Sequence, residues 1–351
     1  MLKPVGAECN LDCGYCYYSD KAARYSGRMS EALLEKCLKD YLTSTDVPDP
    51  SVCWHGGEPL LAGIGFYRNA LDIERRYSGG RRVLNTIQTN GTLLTAEWAG
   101  FLADNNFLTG LSLDGPQDLH DTFRLDRSGG GSFEAVMQAA DRLRAAGAEF
   151  NTLSVVHCGS EGRGAQIYRF LRDVAHSRYM QFLPVEGGQL SAAAYGRFLC
   201  DIFDVWSKGD IGKVFVQILD ATLARWCGAV PGLCTMAESC GDNLLVECNG
   251  DVYACDRFTA PEQRLGNLAE TRLADLYDDA RCLHFRQAKK GMLPPGCNDC
   301  EWLHICNGGC PAQRFTDREN RLCQGLKMYF RHVAPAMERM RLALLWNKST
   351  V

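Results

Sequence analysis

Three cysteines near the start of the chain, Cys9, Cys13 and Cys16, are spaced Cys-x3-Cys-x2-Cys. Three thiolates in one loop hold three irons of a [4Fe–4S] cube and leave the fourth iron open to another ligand. An electron-carrying ferredoxin supplies four cysteines instead. The competing reading of this spacing is a zinc knuckle completed by a distant ligand. Further along come Cys234-x5-Cys240, Cys255, Cys297-x2-Cys300-x5-Cys306-x3-Cys310 and Cys323. These thiols suffice for two fully ligated cubes, or equally for two four-thiolate zinc sites, and spacing does not choose between them. Cys37, Cys53, Cys158, Cys200, Cys227, Cys248 and Cys282 are scattered singly and read as small buried hydrophobes.

The elements that must carry these groups follow from periodicity. Short apolar, β-branched runs recur at Ser51–Trp54, 83–87, 108–113, Phe150–Val156 and 180–185, with 2–5 as a sixth candidate strand. Helical patterns lie between them. Ser30 caps one, with Leu33, Leu34, Cys37, Leu38, Tyr41 and Leu42 on one face; Ser132 caps another that stops at Gly147. Strands separated by helices imply βαβ units and a parallel sheet, here a partial (β/α)6, TIM-like barrel. Two helices are predicted over 192–207 and 214–226. A hairpin is predicted at 244–255 with Asn249-Gly250 as a type I′ turn, and a last amphipathic helix over 324–346. The resulting domains are a barrel at 1–190, a helical connector at 191–228, a cysteine-rich domain at 229–323 and a C-terminal helix at 324–351.

Bulk properties set the compartment. The chain has 351 residues, 18 of them cysteine, with a net charge of −4. So much cysteine points to metal rather than disulfides once a cytoplasmic location is accepted. That location is expected because the stretch 1–6 has neither the apolar h-region nor the cleavage site of a secretory signal, and no apolar run reaches membrane-spanning length. No long run of like charge argues for a nucleic-acid or membrane partner.

The loop Cys9-x3-Cys13-x2-Cys16 is the signature of the radical S-adenosylmethionine (SAM) superfamily, which this chain resembles. Its open iron would take the sulfonium of SAM. Tyr15 matches the aromatic position near the adenine. His55-Gly56-Gly57-Glu58-Pro59 resembles the GGEP motif, in which Gly56, Gly57 and Glu58 meet the SAM amino group. Glycines there allow close backbone approach. Asn90, after the third strand, sits where such folds place ligands. The resemblance further implies that Ser112 and Arg124 contact SAM and that the chain near Glu186 approaches it. The later cysteines resemble the SPASM domain. This implies auxiliary cluster I on Cys234, Cys240, Cys255 and Cys310, and cluster II on Cys297, Cys300, Cys306 and Cys323, for three [4Fe–4S] clusters in all.

Three stretches narrow the resemblance to anaerobic sulfatase-maturating enzymes: His120-Asp121-x2-Arg124-x-Asp126, Glu149–Leu153, and Cys240-Gly241 with Asn249-Gly250-Asp251 and Cys255-Asp256. Such enzymes oxidise a Cys or Ser of a protein substrate to Cα-formylglycine through a 5′-deoxyadenosyl radical, with electrons from a reductant such as flavodoxin or ferredoxin. By that resemblance Asp256 is the base, Tyr18 lies close to the substrate β-carbon, and His55 touches substrate. His55 departs from the glutamine usual in the sulfatase group and matches several peptide-crosslinking maturases. Maturation of a ribosomal peptide, by a crosslink or thioether, is therefore the alternative. A zinc-binding protein without catalysis is the third reading, and it predicts a colourless protein.

Overall fold

The computed structural model describes residues 1–21, 23–314 and 319–348. Two compact units divide the chain: Met1–Leu113, His120–Asn151 and Asp242–Phe285 form one, and Asp114–Leu119, Thr152–Gly241 and Arg286–Val351 the other.

In the first unit, β1 (Ser51–Trp54), β2 (Leu84–Thr89) and β3 (Leu108–Ser112) lie side by side and parallel. Around them run α1 (Glu31–Ser44), α2 (Ile64–Tyr77), α3 (Ala96–Asp104) and α4 (Phe133–Ala146). Ser30 caps α1 as expected, its side chain accepting from the Leu33 N–H at 3.2 Å. Ser132 does not cap α4. Its hydroxyl donates to the Arg124 carbonyl at 2.7 Å, and the first N–H of the helix, from Phe133, goes to Asp121 instead. Edge-to-face aromatic rings fill the core: Tyr67 sits 5.4 Å from Trp54 and 5.5 Å from Trp98.

The expected strand at 2–5 reduces to bridges made by Leu2, one to Trp54 and one to Val246. Gly6 enters the left-handed region at φ 55°, and the chain turns away into the cysteine loop. The hairpin is present as β7 (Leu245–Val246) and β8 (Asp251–Tyr253), antiparallel, with a third strand, β9 (Gly266–Asn267), added beyond β8. Its turn is one residue longer than the I′ form. The Gly250 N–H donates to the Glu247 carbonyl, and the Glu247 N–H to the Asp251 carbonyl. Cys248–Gly250 therefore form a three-residue loop, with Gly250 at φ 89° supplying the left-handed residue.

The second unit holds the parallel strands β4 (Phe150–Val156), β5 (Tyr179–Pro184) and β6 (Phe215–Val216). Within this unit the three run in sequence order, and the last is Phe215–Val216, read in the sequence as the start of a helix. That helix begins two residues later, at Gln217. The helix Ala192–Trp206 and the long helix Cys323–Lys348 cross where glycines meet. A Cβ on Gly325 would fall 1.8 Å from the Ala192 carbonyl oxygen, and one on Gly196 2.6 Å from that of Gly325. The last residues of the predicted C-terminal segment, 349–351, lie outside the described residues. Of the scattered cysteines, Cys37, Cys248 and Cys282 are buried and Cys53 and Cys200 half-buried, but Cys158 and Cys227 are exposed. These two fall where an element ends or a turn begins rather than inside a packed face.

Candidate active site

The cysteine loop is held by backbone rather than by side chains. Asp12 and Gly14 donate their N–H groups to the carbonyls of Leu125 and Phe123, at 2.8 and 2.9 Å. The same strip places Arg124, whose guanidinium lies 5.5 Å over the Tyr15 ring, while Tyr15 packs 5.4 Å from Phe123. Two residues inferred from separate motifs to contact SAM are therefore neighbours.

The Gly-Gly of the second motif has a local physical reason. The Gly57 N–H bonds the Gly6 carbonyl, and the Glu58 N–H bonds that of Glu8, each at 2.8 Å. A Cβ on Gly57 would lie 2.0 Å from the Glu8 oxygen, and one on Gly56 2.8 Å from that of Gly6. Only glycine lets the two loops run this close. Glu58 is fully buried. Its carboxylate accepts from the Leu60 N–H, the Thr89 hydroxyl and the Asn90 N–H, at 3.0, 2.7 and 2.7 Å. Burial pushes its pKa up to about 7 against those three bonds. The role this geometry displays for Glu58 is to tie the β1 and β2 loops together. Asn90 then turns its side-chain amide to Asn10 at 2.9 Å and to the Cys9 sulfur at 3.7 Å, and the Leu11 N–H also points at that sulfur, at 3.4 Å. Donors aimed at a ligating sulfur stabilise the thiolate a cluster needs. Ser112, at the end of β3, accepts from Gln88 at 3.0 Å. Glu186 is half-buried and follows β5 in the second unit.

Asp256, His55 and Tyr18, the residues expected to face substrate, all lie in the first unit. Tyr17 donates to Asp256 at 3.1 Å, and Tyr18 donates to the Glu247 carboxylate. Burial pushes the Asp256 carboxyl up, but His55, Lys3, Arg257 and the Tyr17 hydroxyl outweigh it and hold the group below its ordinary value. Burial, with Lys3 adding to it, lowers the His55 imidazole to about 4. Its Nδ1 accepts from the Gly56 N–H at 2.7 Å, so the neutral ring carries its proton on Nε2. Lys3, Glu247 and Tyr17 were missed in the sequence. The available signal was a lone charge inside the apolar runs Met1–Val5 and Leu244–Cys248.

The second unit carries the other thiols. Cys297, Cys300, Cys306 and Cys323 line one hollow, walled by Trp302, Leu303, Leu326 and Phe330. Burial raises the Cys306 thiol to about 11 and the Cys323 thiol to about 12, values that bound iron must overcome. Four cysteines around one hollow can supply the four thiolates of a cube or of a zinc site. Cys234, Cys240 and Cys310 share electrostatic contact with Lys289, also missed in the sequence. This buried ammonium donates to the carbonyls of Cys234, Thr235 and Ala237 and so holds the loop of the first of these cysteines. Cys255 follows β8 in the first unit.

A three-cysteine loop near the start of the chain, followed by a thiol-rich domain, is the arrangement of the radical SAM class with auxiliary iron–sulfur sites. The Radical SAM superfamily matches residues 4–171, and the SPASM iron-sulfur cluster-binding domain matches 234–301. The chain is 42% identical to a serine-type anaerobic sulfatase-maturating enzyme of Bacteroides thetaiotaomicron, over 98% of this chain and 91% of that one. It is 30% identical to a cysteine-type enzyme of Clostridium perfringens, over 96% of each. The solved structure of native anSMEcpe with bound AdoMet and Cp18Cys peptide superposes with a TM-score of 0.91 at 29% identity, covering 98% of both chains. The chain belongs to the anaerobic sulfatase-maturating enzymes. Among the described residues no helix is long and apolar enough to cross a membrane.

Proposed function

We propose that this chain oxidises a serine side chain of a sulfatase polypeptide to Cα-formylglycine by radical SAM chemistry in the cytoplasm. The observation that carries the reading is similarity along nearly the whole chain to enzymes of this one activity; the serine-type relative stands at 42% identity and the cysteine-type at 30%. Cys9, Cys13 and Cys16 hold the SAM cluster. Cys234, Cys240, Cys255 and Cys310 hold auxiliary cluster I, and Cys297, Cys300, Cys306 and Cys323 hold cluster II. The four-thiol hollow and the N–H groups aimed at Cys9 support the fit. When bound, the reduced cluster and SAM supply abstraction of a hydrogen atom from the target β-carbon.

The protein's own groups position and deprotonate. Tyr15 and Arg124 form one wall of the SAM site, with Gly56, Gly57, Asn90 and Ser112 at the neighbouring strand ends, and the chain near Glu186 approaches SAM. Glu58 acts through the loops it ties. Tyr18 and His55 flank the target side chain. Asp256, its backbone fixed beside Cys255, accepts the hydroxyl proton as the carbon is oxidised. A flavodoxin or ferredoxin supplies reducing electrons.

The test is anaerobic incubation with SAM, reductant and matched peptides carrying Ser-x-Pro-x-Arg or Cys-x-Pro-x-Arg, read by mass. Loss of two hydrogens from the serine peptide supports the reading. Preference for the cysteine peptide overturns the serine assignment. Release of 5′-deoxyadenosine with neither peptide changed overturns formylglycine formation.

A further inference from the structure

Two opposite charges with no exposure at all lie behind the substrate side of the site. Lys3 and Glu247 are each 0% exposed, with the Lys3 Nζ 3.6 Å from Glu247 Oε1. Among the described residues neither atom meets a hydrogen-bond partner at ordinary bonding distance. The ammonium lies instead 3.4 Å from the centre of the Tyr18 ring, and the Tyr18 hydroxyl donates to the other oxygen of the same carboxylate. The three groups close a ring: cation on the aromatic face, hydroxyl on the anion, anion against the cation.

Stability does not explain such a pair. Burying two charges costs several kcal/mol each before their attraction is counted, and an apolar pair of similar volume usually does as well. What the arrangement does provide is direction. A cation prefers the face of a ring, and a carboxylate fixes the hydroxyl's azimuth, so both tilt and rotation of Tyr18 are set. Tyr17, next in the chain, pins Asp256 in the same way at 3.1 Å. Consecutive tyrosines thus fasten the end of the cysteine loop to two carboxylates on the hairpin and its exit. With its hydroxyl already committed to Glu247, Tyr18 contributes the position of its ring, not a proton.

We propose that Lys3 and Glu247 are positioning residues that lock Tyr18, so that the target β-carbon, and no other atom, faces the abstracting radical. The inference rests on the function proposed above. Its test compares wild type with Lys3→Met, Lys3→Met/Glu247→Gln and Tyr18→Phe, each reconstituted anaerobically, on the serine peptide. The measured quantities are 5′-deoxyadenosine formed per formylglycine, peptide Kd and Tm. Lys3→Met leaves a buried carboxylate unpaired and is expected to lower Tm. The double variant removes both charges and is expected to recover most of that Tm. Its ratio of deoxyadenosine to product is nevertheless expected to stay raised about tenfold or more, because misplacement by about 1 Å suffices to cost 10²-fold in rate. A double variant with wild-type Tm and wild-type ratio overturns the proposal. Should both lysine variants fail to fold, Tyr18→Phe decides, since it keeps both charges and the ring: a raised ratio supports the lock, and a wild-type ratio refutes it. Absence of formylglycine from wild type itself would instead remove the functional reading on which the inference stands.

Discussion

At the residue scale, Asp256 carries the sharpest prediction. Its surroundings favour the carboxylate: Lys3 and Arg257 are cationic, and Tyr17 donates to it. Asp256→Asn keeps the shape and an acceptor for Tyr17 but cannot take a proton. Formylglycine formation is expected to fall about 10²–10⁴-fold. SAM cleavage should persist, because the asparagine oxygen still accepts from Tyr17 and keeps the end of the cysteine loop fastened. Chromatography of 5′-deoxyadenosine beside peptide mass checks both halves, and loss of the two together would place Asp256 in SAM binding instead. Asp256 and Tyr18 could be singled out as candidates because each sits at a fixed offset from a cysteine. Lys3 and Glu247 could not be, because each is only a lone charge in an apolar run and the partner that explains it lies at the far end of the first unit's sequence.

At the element scale, the strands were legible where burial imposes a pattern and illegible where it does not. The predicted runs Ser51–Trp54 and Phe150–Val156 coincide with β1 and β4. The two-residue strand Phe215–Val216 carries too few residues for any period, and the helix that follows it at once masks it. Capping shows the same limit. Ser30 was read correctly from adjacent residues, whereas the Ser132 hydroxyl is claimed by the Arg124 carbonyl, a tertiary partner. Two predictions belong here. Gly57→Ala would drive a methyl into the Glu8 carbonyl at 2.0 Å. It is expected to cost about 1–3 kcal/mol and to deplete iron from the cysteine loop, seen by thermal unfolding and iron assay. On α2, Glu74 is buried, accepts from Asn85 at 2.8 Å, and is pushed by burial to about 7. A carboxyl raised on folding binds its proton more tightly in the native state. Its stabilising contribution is full below the unfolded value near 4.5 and is lost as pH rises through about 7. Glu74→Gln should therefore gain stability over wild type as pH rises from 5 to 8, by about 3 kcal/mol at most. Equal denaturant midpoints for the two proteins across that range would refute the assignment.

At the scale of the whole molecule, the question is how many clusters the chain carries, and the cysteines speak unevenly. The first three are a local run, so their grouping could be read directly. The later ones cross over: Cys306 falls with Cys297, Cys300 and Cys323 around one hollow, while Cys310, four positions on, falls with Cys234 and Cys240 near Lys289. Folding sorts them, since the short helix Leu303–Cys306 ends in a left-handed residue, Asn307 at φ 48°, which redirects the chain between the two sulfurs. This sorting makes the two proposed auxiliary clusters separable. Three cubes imply about twelve irons per chain. Cys306→Ala removes one wall of the hollow and leaves Cys9, Cys13 and Cys16 untouched, so iron is expected to drop to about eight while 5′-deoxyadenosine is still released. Electron paramagnetic resonance of the reduced variant should lose one cluster signal and keep the one that SAM perturbs. A variant that keeps about twelve irons would show that Cys306 ligates nothing, and one that falls to about four would show that the two auxiliary sites form only together.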